Sequence, residues 1–218
     1  MPDHPSARRP LKTRSSGLAI ALARLLTRWR ISPNAISVAS LAFASIGALV
    51  MLAAVPDGPP GLRAALLVTA AACIQLRLLC NLLDGMVAVE GGLGTRTGAV
   101  FNELPDRLAD PLLIVPAGYL TGVAWGPELA WSAGLLALLT ANIRLLGASL
   151  GLPQDFQGPM AKPHRMAALT VGLLIAALCT PLSLDGPVLL ITLILLLIGT
   201  GLTAIRRTRT LLRDLGSP

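Results

Sequence analysis

Residues 81–110 read NLLDGMVAVEGGLGTRTGAVFNELPDRLAD, and this polar stretch between apolar runs organises the chain. Its first part closes one long apolar segment and its last part opens another. The glycine-rich piece between them, with Gly91, Gly92 and Gly94, reads as a turn. A helix advances about 100° per residue, so Arg77, Asn81, Asp84 and Ala88 fall on one narrow face. On the next helix Asn102, Glu103, Asp106 and Asp110 share another, with Arg107 at its border and Gly98 one turn upstream. Two such faces joined by a short turn can oppose each other across one cavity. A carboxylate at membrane depth costs at least ~2.5 kcal/mol, so the cluster needs compensating charge. Either a divalent cation supplies it, or Arg77, Arg107 and Arg144 do so as ion pairs between helices. The spacing repeats on two successive segments, which favours a functional cluster.

The surrounding composition explains why membrane depth is the relevant setting. The 218 residues are 54% hydrophobic and only 13% charged, with mean hydropathy +0.71, too little polar surface for a soluble globule of this size. Cys73, Cys80 and Cys179 sit in apolar runs without pairing or zinc spacing and read as buried free thiols. A net charge of +7 is concentrated beside the apolar segments, where it sets topology and attracts anionic lipid headgroups. That placement argues against a nucleic-acid partner.

Outward from the central stretch, residues 1–15 form a basic, proline-containing arm that does not read as a cleavable signal peptide. Residues 17–30 carry apolar positions among Arg24, Arg28 and Arg30, the pattern of an amphipathic helix on the membrane surface. Ser32 and Pro33 are a helix-start signal. The expected fold is all-α and integral to the membrane. It has six transmembrane helices, at about 33–55, 61–90, 98–120, 128–150, 163–182 and 187–205, plus the interfacial helix. The expected organisation is an arm and surface helix over 1–31, a membrane domain over 32–206 and a basic tail over 207–218. With both termini inside, fourteen basic residues are cytoplasmic and Arg63 alone lies outside, which orients the bundle. The turn over 91–97 and both polar faces then meet at the cytoplasmic side.

At residues 81–106 the sequence resembles the CDP-alcohol phosphotransferase family of integral-membrane phospholipid synthases. That family carries two aspartates three residues apart, then Gly, two residues, Ala-Arg, eight residues, Gly, three residues, Asp, three residues, Asp. Here the same intervals hold Asn81, Asp84, Gly85, Ala88, Val89, Gly98, Asn102 and Asp106. The first and third aspartates are asparagines and the arginine is Val89, which marks a divergent branch.

The resemblance implies transfer of a phosphatidyl group from CDP-diacylglycerol to a small alcohol acceptor, with release of CMP and dependence on Mg²⁺ or Mn²⁺, one or two ions. By position Asp84 is a metal ligand and Asp106 both a ligand and the base for the acceptor hydroxyl. Gly85, Ala88 and Gly98 are the small residues that admit the nucleotide. Asn81 and Asn102 each remove one negative charge from the metal set, and Glu103 or Asp110 is expected to restore it. Lys162, His164 and Arg165 stand where the family binds an acceptor's phosphate, and topology-setting charge is the alternative reading of them. Two other classes stay open: a non-catalytic lipid-binding or scaffold relative, and a small transporter, which the absence of an inverted repeat disfavours. A homodimer is compatible with a membrane enzyme of this size.

Overall fold

The structure is a computed structural model and describes residues 16–55, 58–89, 91–95 and 97–216. The basic arm over 1–15, Glu90 and Arg96 therefore lie outside the described residues. Among the described residues there are seven α-helices: α1 (Gly17–Arg28), α2 (Pro33–Ala53), α3 (Pro60–Val89), α4 (Gly98–Tyr119), α5 (Gly126–Ser149), α6 (Lys162–Cys179) and α7 (Asp185–Gly216). Ser16 caps α1 by accepting from the Ala19 amide, and Ser32 caps α2 by accepting from Ala35 with Pro33 in the first turn. Between them Arg30 takes a left-handed backbone, φ 53°, turning the surface helix into the first span.

Helices α2 to α7 close into a ring through the contacts α2 with α4, α4 with α5, α5 with α7, α7 with α6, α6 with α3 and α3 with α2. Inside and outside are divided as lipid demands. Leu49, Leu135, Leu178, Ile191 and Leu195 face outward, each at least half exposed, while alanine, glycine, serine and threonine fill many of the interhelical contacts. Gly47 is one such contact. A Cβ there would stand 3.1 Å from both Cys73 and Leu113, so glycine lets α2 lie close against α3 and α4. Met51, Leu67, Ile74, Leu113, Met166, Leu173 and Leu193 complete the core. Helix α1 lies outside the ring, burying Ala19 and Ala23 with Leu83, Met86 and Val87 of α3 and leaving Leu18 and Trp29 exposed, as an interfacial helix should.

Five helices, α2, α3, α5, α6 with its terminal 3-10 turn, and α7, are long and apolar enough to cross a membrane. The expected third span, α4, is not among them, because Glu103, Asp106, Arg107 and Asp110 dilute its 22 residues. Its prolines Pro105, Pro111 and Pro116 sit inside the helix. Helix α7 runs on past Arg206 to Gly216, and Arg207 is buried.

At the end of the ring away from the central stretch, Arg63 is also buried, not a topology residue in solvent. It pairs with Asp185 at the start of α7 and donates to the Leu120 carbonyl at 3.2 Å. One cation thus ties α3, α7 and the end of α4.

Candidate active site

The backbones of α3 and α4 hardly touch across the ring, and long polar side chains bridge the gap. Asn81 Nδ2 donates to Asp106 Oδ1 at 2.6 Å, and Arg77 Nη2 reaches the same oxygen at 3.5 Å. From the first turn of α6, Lys162 Nζ pairs with Asp106 Oδ2. Three elements therefore converge on one carboxylate, which keeps about a quarter of its side chain exposed to the cavity.

One turn along α4, Asp110 is buried between two arginines. Its Oδ1 accepts from Arg77 Nη2 at 2.9 Å and its Oδ2 from Arg165 Nη2 at 2.8 Å and Nε at 3.3 Å. Arg165 Nη1 donates to the Met160 carbonyl at 2.8 Å and to Thr140 Oγ1 at 3.2 Å. Glu103 accepts from Arg144 Nη2 at 2.8 and 2.7 Å on its two oxygens. Arg144 also pairs with Gln154 and lies 5.3 Å over the Phe156 ring, pinning the segment between α5 and α6. Arg207 of α7 holds that segment from the other side, donating to the Gln157 carbonyl at 2.9 Å and to the Thr140 carbonyl at 2.8 Å.

These groups wall a cavity of about 810 Å³ with an apolar flank of Leu78, Leu79, Leu82, Ala137 and Leu138. Of the residues singled out in the sequence, Asn81, Gly85, Asn102, Glu103, Asp106, Asp110, Lys162 and Arg165 line it. Ala88 and Gly98 do not line it, and His164 is exposed away from it. Asp84 turns toward α2, where Ser37 Oγ donates to its Oδ2 at 2.7 Å, yet it stays within electrostatic reach of Asp106 and Lys162.

Two of the expected compensating acids form ion pairs between helices, with Arg77 and Arg144 as the alternative reading named and with Arg165 in place of Arg107. Glu103 and Asp110 were expected to restore charge to a metal set, and arginines neutralise both of them instead. Arg165, expected to bind an acceptor's phosphate, is buried with most of its N–H groups engaged. Thr140, Gln154 and Phe156 were not singled out. Each meets the site through helix packing, and nothing in its local sequence marks it.

Asp84 is what a divalent ion fits best. Its Oδ1 is buried with no hydrogen-bond partner, a costly state unless a cation faces it. The other motif positions supply oxygen donors in Asp106 and the amides of Asn81 and Asn102; with Asp84 they carry two negative charges, and Asp106 is already met by Lys162 and Asn81. Among the described residues no three His, Cys, Asp or Glu side chains form a ready cage.

Residues 30–205 match the family model described as CDP-alcohol phosphatidyltransferase. The chain is 33% identical over 153 residues to the inner membrane protein YnbA of Escherichia coli K12, covering 68% of each protein. It is 30% identical over 171 residues to the phosphatidylinositol phosphate synthase of Mycolicibacterium smegmatis, covering 74% of this chain and 71% of that one. Among solved structures, the phosphatidylinositol phosphate synthase PgsA1 of Mycobacterium tuberculosis with CDP-DAG bound superposes with a TM-score of 0.73 at 22% identity, over 90% of this chain and 94% of that one. The same protein in complex with manganese and citrate gives 0.72 at 22% identity, over 88% of each.

Proposed function

The chain belongs to the CDP-alcohol phosphatidyltransferase family, and from that premise we propose that it transfers a phosphatidyl group from CDP-diacylglycerol to a phosphorylated alcohol, releasing CMP. One observation supports the reading most: Asp106, at the position of the family's last motif aspartate, is met in an open cavity by Asn81 and Lys162 from two other helices. The phosphatidylinositol phosphate synthases among its relatives support a phosphorylated acceptor.

In this reading the nucleotide lies against α3 at Gly85, with Ala88 and Gly98 at its edge, where small side chains allow close approach. Asn81 and Lys162 hold the Asp106 carboxylate in position. Asp106 takes the proton of the acceptor hydroxyl as that oxygen bonds to phosphorus and the bond from phosphorus to the CMP oxygen breaks. Asp84, Asp106, Asn81 and Asn102 would hold Mg²⁺ or Mn²⁺, which when bound neutralises the pyrophosphate and stabilises the departing phosphate. Lys162 remains the proposed cation for the acceptor's phosphate. The same proposal makes α4 a sixth crossing and opens the cavity to the cytoplasm, in line with the basic flanks.

The test is thin-layer analysis of the purified chain with labelled CDP-diacylglycerol, Mg²⁺ or Mn²⁺, and a panel of phosphorylated and plain alcohols. One labelled phospholipid, formed together with CMP, is expected. No product with any acceptor would favour the lipid-binding relative.

A further inference from the structure

Five cations line the cavity: Arg107, Arg144, Lys162, Arg165 and Arg207. Four already engage protein groups. Arg144 holds Glu103 and Gln154, Lys162 holds Asp106, Arg165 holds Asp110, Thr140 and Met160, and Arg207 holds the Gln157 and Thr140 carbonyls. Arg107 differs. Among the described residues it makes no hydrogen bond or ion pair, and its Nε is buried without a partner. It lies on the cavity face of α4, one turn after Glu103 and next to Asp106.

The three cavity carboxylates cannot use it, since Glu103, Asp106 and Asp110 already have cations. A guanidinium offers five N–H groups in a planar fork; the Arg107 Nε is buried without a partner, and an anion in the cavity would match it together with the accessible Nη groups. We propose that Arg107 is a substrate-binding residue of this site, receiving a phosphate oxyanion beside Asp106. The inference rests on the transferase reading and deepens it. The oxyanion is the donor's pyrophosphate or the acceptor's phosphate, and both present the same chemistry to the fork.

The two sources separate by titration. Full-length wild type, Arg107→Ala and Arg107→Lys, purified in detergent with Mn²⁺ present, are titrated calorimetrically with CDP-diacylglycerol and separately with inositol 1-phosphate, and KM for each is measured where turnover occurs. Arg107→Ala should weaken one of the two by about tenfold or more, as loss of a charge-assisted contact does, with Arg107→Lys recovering part of it. Weakening confined to CDP-diacylglycerol assigns the pyrophosphate; weakening confined to inositol 1-phosphate assigns the acceptor. Equal binding of both ligands by wild type and Arg107→Ala overturns the inference and leaves the transferase reading intact. A wild type that binds neither overturns both. Arg107 has no partner to lose, so the melting temperature of Arg107→Ala should match wild type. If Arg107→Ala is unstable, Arg107→Lys decides alone, and wild-type affinity for both ligands overturns the inference.

Discussion

Asp110 shows how a single carboxylate at membrane depth is afforded by its neighbours. Flanked by Arg77 and Arg165, it is a buried charge with both oxygens satisfied, and removing one member of such a group leaves the others uncompensated. Asp110→Asn should therefore lower stability by about 3 kcal/mol, read as a lower melting temperature in detergent, while the Mg²⁺ or Mn²⁺ concentration for half-maximal turnover stays at the wild-type value. A shifted metal titration with an unchanged melting temperature would return Asp110 to the metal set. Helical spacing made Asn81, Asp106 and Asp110 legible as inward-facing. It could not say which carboxylate an arginine 33 or 55 residues away would take, because that choice depends on how the helices pack. Asp84 was legible from its motif position, whereas its partner Ser37 was one serine among several on α2.

The segment between α5 and α6 carries little regular structure and owes its position to side chains from its neighbours. Arg144 and Arg207 grip it, and Thr203 of α7 accepts from the Met160 amide at 2.9 Å. Arg207→Ala should loosen this cavity wall. We expect faster chymotryptic cleavage after Phe156 and several-fold weaker turnover, with the helical content unchanged; wild-type cleavage would show that Arg207 does not hold the segment. The helices themselves were legible from apolar length and the start signals at Ser32 and Pro33, within a few residues at most ends. Hydropathy ended the last span near 205 because Arg206, Arg207 and Arg209 follow. Yet a helix continues through charge when its residues are good helix formers, and one of those arginines turns inward.

At the scale of the molecule, six helices in a ring leave a polar cavity at one end and the Arg63–Asp185 pair at the other. All-α membrane architecture was legible from composition, whereas the ring order was not, since it depends on which small faces meet. The proposed orientation puts Gly92 on the cytoplasmic side and Ala124 on the far side. In a variant with Cys73, Cys80 and Cys179 replaced by alanine, an impermeant thiol reagent applied outside sealed right-side-out vesicles should label Ala124→Cys and spare Gly92→Cys; the reverse pattern would invert the bundle. The central claim is that this cavity, with Asp106 at its focus, performs the transfer. Its most direct test is CMP release from CDP-diacylglycerol by wild type and Asp106→Asn, side by side with Mn²⁺ and the best acceptor. The account predicts steady release by wild type and a loss of at least about a hundredfold in Asp106→Asn with its melting temperature close to wild type, and release by Asp106→Asn at the wild-type rate would contradict it.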